Sequence, residues 1–584
     1  MAKGGVKRGR QKIKGGPMSS HPWLRSYPAG LDWTAPVVVA PVQSILDEAV
    51  AKWPERPAID FMGRKITYGE LGALVARTAK GLQSLGVGPG SHVGLFLPNT
   101  PHAIIGFFGI LKAGGTVVNY SPLDAEKVLE HKVGDSETDF IITLNAAALY
   151  PQMDRLLGKT RLKALIIGDI AEMAANPAAV RAHLEAAKQV VPVPADDRHI
   201  AFETLLANDG AFKVHPIADV AKTIAVLQYT GGTTGLPKGA MLTHANLTAA
   251  SYQYWMSTQS EHRVIEEGEE RTLIALPLFH IYALTANVLL CIRIGAEMIM
   301  HVRFELEPTI RDIAAKRVSV FFGVPTMYLA LLSHPGIEEA DLSSLKHCSS
   351  GGAPLPVEVL QRFKEKTGRD ISEGWGMTET SPSGTFTPAG RPPKPGSCGI
   401  PFPGITLKFV SVDNPDKEVA LGERGELCIS GPNVMLGYWK NDKATAEMRT
   451  KDGFLRTGDV GYMDEEGYVF IVDRIKDMLL CGGYNVYPRN IEEAIYQHPS
   501  VAEACVIGVP DQYRGQSPKA FVALKKGSPA LSLDELKSFL RDRLGKHEMI
   551  SALELRDALP RTPVGKLSKK DLVDEEARRR VAVG

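Results

Sequence analysis

The chain has 584 residues, too many for one hydrophobic core, so several packed subdomains are expected. Apolar residues (44%) and charged residues (23%) stand in the ordinary proportion of a soluble globular protein. Lys plus Arg (67) nearly cancels Asp plus Glu (66), which leaves no global field to draw nucleic acid as a partner.

Residues 1–20 read as a disordered basic arm: Lys3, Lys7, Arg8, Arg10, Lys12 and Lys14 occur there without an acid. No apolar stretch follows, so it is not a signal peptide; a start at Met18 and a contact with anionic membrane are the alternatives. From Ile45 to Phe322, β-branched runs alternate with helical patterns, predicting mostly parallel sheets covered by helices. Thr223–Tyr229 reads as a strand, followed by a Gly/Thr loop and a helix opening near Thr243. Arg271–Leu276 and Val318–Val324 read as strands, and Pro308 sits where a first helical turn would begin. The most apolar run, Ala283–Met300, is broken by Arg293 and Glu297 and does not span a bilayer. Pro356–Lys366 reads as a helix closed by Gly368, leading to a strand before Glu373. After Gly404, short strands between Gly, Asp and Pro turns suggest a barrel-like part over 404–472. The charged segment Asp473–Asp477 marks a boundary, and a compact α/β unit follows it. Six scattered cysteines form neither a disulfide framework nor a zinc site and suggest a reducing compartment.

The most informative stretch is Tyr229-Thr230-Gly231-Gly232-Thr233-Thr234-Gly235-Leu236-Pro237-Lys238-Gly239. Its glycines let backbone N–H groups close on phosphate oxygens, its threonines add hydroxyls, and Lys238 adds charge. It is not a Walker loop, because Pro237 stands where that motif requires glycine. This loop, and the run Ala240–Leu247 after it, resemble the adenylate-forming superfamily of acyl-CoA synthetases, luciferases and adenylation domains. Within it the chain is most similar to bacterial long-chain fatty acid–CoA ligases, from about Trp23 to about Asp574.

The resemblance implies a large domain over 21–472, made of helix-covered sheets plus a small distorted β-barrel. A hinge over 473–478, a small mobile α+β domain over 479–575 and a tail over 576–584 would follow. It implies an enzyme that converts a medium- to long-chain fatty acid, ATP and coenzyme A into acyl-CoA, AMP and diphosphate through an acyl-adenylate. The alternatives are a ligase for dicarboxylic or other medium-chain acids and a catalytically dead acyl-nucleotide binder. A dead scaffold would be expected to have lost Lys566 or Glu379, and both are present.

By the same resemblance, in Glu373-Gly374-Trp375-Gly376-Met377-Thr378-Glu379 the aromatic flanks adenine, Thr378 touches the α-phosphate, and Glu379 binds Mg²⁺ with Thr230. Trp375 replaces a usual tyrosine and keeps a stacking face. Gly352 and Ala353 join the nucleotide site. His280, in Pro-Leu-Phe-His, either guides the carboxylate or only walls the pocket. Arg456–Asp459 and Asp473-Arg474 match positions that hold the ribose hydroxyls, and Lys476 matches the hinge. Gly482 and Gly483 match the strip lining the pantetheine tunnel, although Gly515-Gln516 departs from the more usual Gly-Glu. Pro560–Lys566 matches the catalytic lysine loop; by composition alone Lys566 would be a solvated surface lysine. The acyl pocket is expected from His280–Thr285, Phe322–Met327, Ser350–Ala353 and Trp375–Met377, which carry no Lys, Arg, Asp or Glu. A cytoplasmic location is expected, with a homodimer and a peripheral contact at the inner face of the cell membrane left open.

Overall fold

The computed structural model describes residues 21–230, 237–482, 484–562 and 565–581, and within the N-terminal arm only the Gly9–Arg10 backbone. The expectation of a disordered arm therefore lies almost wholly outside the described residues. Two large sheets form the first part of the chain. One has eight strands, in the order Gly437–Tyr438, Lys238–Thr243, Ile224–Thr230, Thr116–Asn119, His92–Leu95, Phe140–Leu144, Ala164–Gly168 and His199–Ala201. From Ile224–Thr230 to His199–Ala201 every neighbouring pair is parallel. The other sheet has seven strands and runs from Ile371–Glu373 through His347–Ser350, Val320–Gly323, Arg271–Ile274 and Glu297–Met300 to an antiparallel pair at its far edge. Strands such as Phe140–Leu144 and Ala164–Gly168 are buried along their whole length, as expected where helices cover both faces.

The alternation read from the sequence thus produced the expected layers, with one difference. Between the Gly/Thr loop and the helix His244–Ser257 lies a further strand, Lys238–Thr243, antiparallel to Ile224–Thr230. The loop therefore connects two antiparallel strands rather than a strand to a helix. Thr243 still caps the helix, accepting the Asn246 N–H at 3.1 Å. The apolar run from Ala283 folds as a π-helical segment, Ala283–Leu289, then helix Leu290–Ile294, then strand Glu297–Met300. Among the described residues no helix is long and apolar enough to cross a membrane.

The barrel-like part is built on a four-stranded antiparallel sheet: Thr406–Val410, Gly425–Ser430, Leu455–Met463 and Val469–Arg474. Beyond Lys476, strands Val501–Asp511 and Gly515–Leu524 form a long hairpin, with Ala552–Leu555 added in parallel. Helices Pro488–Tyr496 and Leu533–Leu540 pack on it around Ile491, Ile495, Val506, Val522 and Leu536, a core separate from that of the large sheets.

Candidate active site

The paired strands that flank the Gly/Thr loop border a cleft of about 1660 Å³ that the large sheets, the four-stranded sheet and the C-terminal unit line together. Gly231, Gly232, Thr233, Thr234 and Gly235 lie outside the described residues, but their flanks Thr230 and Lys238 are paired and line the cleft. One strand further, Ala240 pairs with Tyr438, whose hydroxyl donates to Glu379 Oε1 at 2.6 Å. Glu379 is buried, and that bond offsets part of the cost of removing its carboxylate from water. Lys238 Nζ stands 5.1 Å from the centroid of the Tyr438 ring. A cation, a phenol and a carboxylate are thereby set by the register of two short strands. Among the described residues no three His, Cys, Asp or Glu side chains gather into a metal cage.

The turn from Gly374 to Glu379 is as tight as its glycines suggest. A Cβ on Gly376 would lie 1.4 Å from the Pro382 carbonyl oxygen, so no other residue fits there without moving backbone. The Trp375 ring lies against Gly384, and its indole N–H donates to Asp459 Oδ2 at 2.7 Å. Asp459 Oδ1 accepts from Arg474 Nε, also at 2.7 Å, so each carboxylate oxygen is held by a different donor. Glu426 aims this loop. It takes Arg456 through Nε and Nη2 (3.0 and 2.7 Å) and the Gly458 N–H at 3.1 Å.

Lys566 enters the cleft from the C-terminal unit. Its loop is closed by Thr562, which donates N–H to the Lys566 carbonyl at 2.6 Å and accepts the Lys566 N–H on Oγ1 at 3.1 Å. The side chain passes over Gly352, where a Cβ would sit 3.2 Å from Lys566 Cε, and Gly352 has φ +78°. The Lys566 amine is lowered to about 8, chiefly by burial and also by Arg474 and Lys476, with Asp459 partly offsetting them. Burial also lowers His280, to about 3, with Lys566 adding to the effect. His280 is thus a neutral imidazole, and its Nδ1 accepts the Tyr282 N–H at 3.2 Å, which leaves Nε2–H as its donor. Burial raises the Glu373 carboxyl to about 8, against the pull of Arg489.

Fifteen of the residues expected at the site line this one cleft: Thr230, Lys238, His280, Gly352, Ala353, Glu373 to Gly376, Thr378, Glu379, Asp459, Arg474, Lys476 and Lys566. Two expectations fare differently. Gly482 does not line the cleft; it lies on the C-terminal unit beside the exposed Leu480 and Tyr484, and Gly483 is outside the described residues. Gln516 Oε1 accepts the Leu480 N–H at 2.9 Å, an acceptor role a glutamate would fill equally. Asp473 lines the cleft, but its carboxylate is engaged by the C-terminal unit, bonding Arg489 N–H at 2.9 Å. Of the segments expected to wall the acyl pocket, His280–Tyr282, Phe322, Val324–Thr326, Ser350–Ala353 and Trp375–Met377 line the cleft, while Ala283–Thr285 turn into the core; Lys346, His347, Arg369 and Asp370 also line it. Tyr438 and Glu426 escaped the sequence reading, because only sheet register brings them to Glu379 and Gly458.

The family model described as AMP-binding enzyme matches residues 46–439, and the model of the AMP-binding enzyme C-terminal domain matches residues 490–566. A long-chain-fatty-acid–CoA ligase of Bacillus subtilis is 39% identical over 563 residues, covering 96% of this chain and 98% of its own. One from Escherichia coli O6:H1 is 37% identical, with coverages of 95% and 98%. The crystal structure of ATP-bound MatB from Rhodopseudomonas palustris superposes with a TM-score of 0.79 at 27% identity, covering 91% of this chain and 98% of that one.

Proposed function

Since the chain belongs to the AMP-binding enzyme family, we propose that it is an AMP-forming ligase joining long-chain fatty acids to coenzyme A. The observation that carries this reading is the meeting of Lys566 with Glu379, Asp459, Thr230 and Lys238 in one cleft. A carboxylate is a poor electrophile, so it must first be activated. In the first step its oxygen attacks the α-phosphorus of ATP, the bond to the bridging oxygen breaks, and diphosphate leaves. The obstacle is the approach of an anion to a polyanion. Lys566, Lys238 and the Gly/Thr loop supply charge and donors where negative charge builds up. Neutral His280 can donate Nε2–H to a carboxylate oxygen without adding a second cation beside Lys566. Asp459 accepts from the ribose hydroxyls, and Trp375 offers its ring face to adenine.

Glu379 keeps one oxygen clear of Tyr438, and Thr230 offers a hydroxyl. This pair fits Mg²⁺, which takes one or two protein ligands plus substrate phosphates rather than a full protein cage. When bound, the ion neutralises phosphate charge. In the second step the thiol of coenzyme A attacks the acyl carbonyl and AMP leaves. Residues 479–575 would act as a small domain that turns about Lys476, withdrawing Lys566 and bringing Gly482 and Gly483 to the cleft. Assembly as a homodimer and a peripheral membrane contact belong to the same proposal.

The reaction is tested by its products: AMP and diphosphate should form in step with thioester, and stoichiometric ADP would overturn the assignment. Substrate class is tested with mono- and dicarboxylic acids of graded length, alongside benzoate and acetate. Each buried methylene contributes about 0.8 kcal/mol, so kcat/KM should climb roughly fourfold per carbon until the pocket is full. Best turnover on benzoate or acetate would sink the fatty-acid reading. Preference for a diacid would assign its distal carboxylate to Lys346 or Arg369, a reading the curated relatives do not favour.

The Trp375 N–H offers a separate check. Trp375→Phe keeps an aromatic face and removes the donor to Asp459. A hydrogen bond to a charged group is worth about 1.5–3 kcal/mol when buried, and this one is only partly buried, so AMP should bind about tenfold more weakly. Titration calorimetry giving equal affinities would show that the indole N–H does nothing for the nucleotide.

A further inference from the structure

Asp473 is the penultimate residue of the large domain's last strand, Val469–Arg474, three residues before Lys476. Side chains alternate along a strand, and Arg474 is the residue that bonds Asp459. Asp473 instead faces the C-terminal unit. Its Oδ2 accepts the Arg489 N–H at 2.9 Å, and Oδ1 lies 3.8 Å from Lys569 Nζ. Lys569 Nζ also lies 3.2 Å from Glu492. The Arg489 guanidinium returns the contact, donating from Nη1 to the Ile471 carbonyl at 2.5 Å.

The helix Pro488–Tyr496 explains why this matters. Its N-cap residue, Tyr487, supplies no side-chain acceptor, and Pro488 has no N–H. Arg489 therefore carries the first orphan donor of the helix, and Asp473 satisfies it from the far side of the hinge. The carboxylate also places negative charge at the positive end of the helix dipole. Asp473 is buried, so the contact is sheltered from competing water. Ile471 and Asp473 precede Lys476 in the chain, whereas Arg489, Glu492 and Lys569 follow it. A turn about Lys476 must separate the two groups.

We propose that Asp473 is a positioning residue that latches the small domain in the orientation that forms the adenylate, acting through Arg489 and Lys569. The latch rests on the two-step ligase reading above. It stabilises the state in which Lys566 lies in the cleft, and it must release before coenzyme A is served.

The test separates the half-reactions in the full-length chain. The first is fatty-acid-dependent exchange of labelled diphosphate into ATP; the second is consumption of a supplied acyl-adenylate by coenzyme A. Asp473→Ala should slow the first about tenfold and speed the second about twofold, with AMP affinity unchanged. Asp473→Asn keeps an acceptor for the Arg489 N–H but loses the charge facing Lys569. It should slow the first step only about threefold, and its near-isosteric side chain keeps the test valid if the alanine variant fails to fold. Equal losses in both half-reactions, no loss in either, or a weakened AMP affinity that accounts for the loss would each overturn the latch. A wild-type chain unable to exchange diphosphate would instead overturn the ligase reading itself.

Discussion

Lys566→Ala is expected to lower adenylate formation by about 10²-fold or more, the scale of losing one transition-state donor in a preorganised site. Transfer from a supplied acyl-adenylate to coenzyme A should proceed at a near-normal rate, because in the proposed second step the turn about Lys476 has already withdrawn the lysine from the cleft. The same side chain predicts a pH dependence. Burial lowers its pKa from 10.5 to about 8, so the charged form is lost as pH rises through about 8 rather than through 10.5. The wild-type kcat/KM for ATP should therefore fall above pH about 8, since that ratio reports the free enzyme. The acyl-transfer step should lack this alkaline limb. Bound triphosphate raises the amine's pKa again, so kcat should hold to higher pH than kcat/KM. Equal loss of both half-reactions in Lys566→Ala, or an alkaline limb that survives the substitution, would refute this role.

Glu379→Gln is the second large effect. The glutamine can still accept from Tyr438, so the local fold should persist, but the negative charge is gone. Adenylate formation should fall about 10²- to 10³-fold, as for other lost electrostatic contacts to developing charge. Tyr438→Phe leaves the charge and removes the hydroxyl that orients it. An outer-shell partner of a metal ligand is typically worth 10–100-fold in metal affinity, so the Mg²⁺ concentration needed for half activity should rise by about tenfold or more. Titration of Mg²⁺ against each variant separates the two cases. A Tyr438→Phe enzyme with an unchanged Mg²⁺ requirement would show that Tyr438 only packs beneath the loop.

Much of the site was legible before any coordinates because its parts are local. The Gly/Thr loop, Gly-Trp-Gly-Met-Thr-Glu, Arg-Thr-Gly-Asp and Gly-Lys are each short runs whose turn chemistry stands in consecutive residues. Glycine was informative where backbone had to pass close to backbone, as Gly376 does beneath Pro382. The alternation of strands and helices was likewise readable, because hydrophobic periodicity is a property of a single segment. The strand Lys238–Thr243 was missed: six residues opening on Lys-Gly carry too little alternation to be told from the start of the following helix.

What the tertiary structure alone decided is which side chains hold which. Tyr438 reaches Glu379 across 59 residues, Trp375 reaches Asp459 across 84, and Lys566 lies over Gly352 from another domain. Asp473 resembled a nucleotide ligand by position in its motif, yet its carboxylate serves a helix of the C-terminal unit. Propensity, periodicity and turn chemistry act over a few residues and so are written in the order of the chain. The partner of a buried polar group depends on sheet register and domain packing, where a shift of one residue turns a strand's side chains to the opposite face.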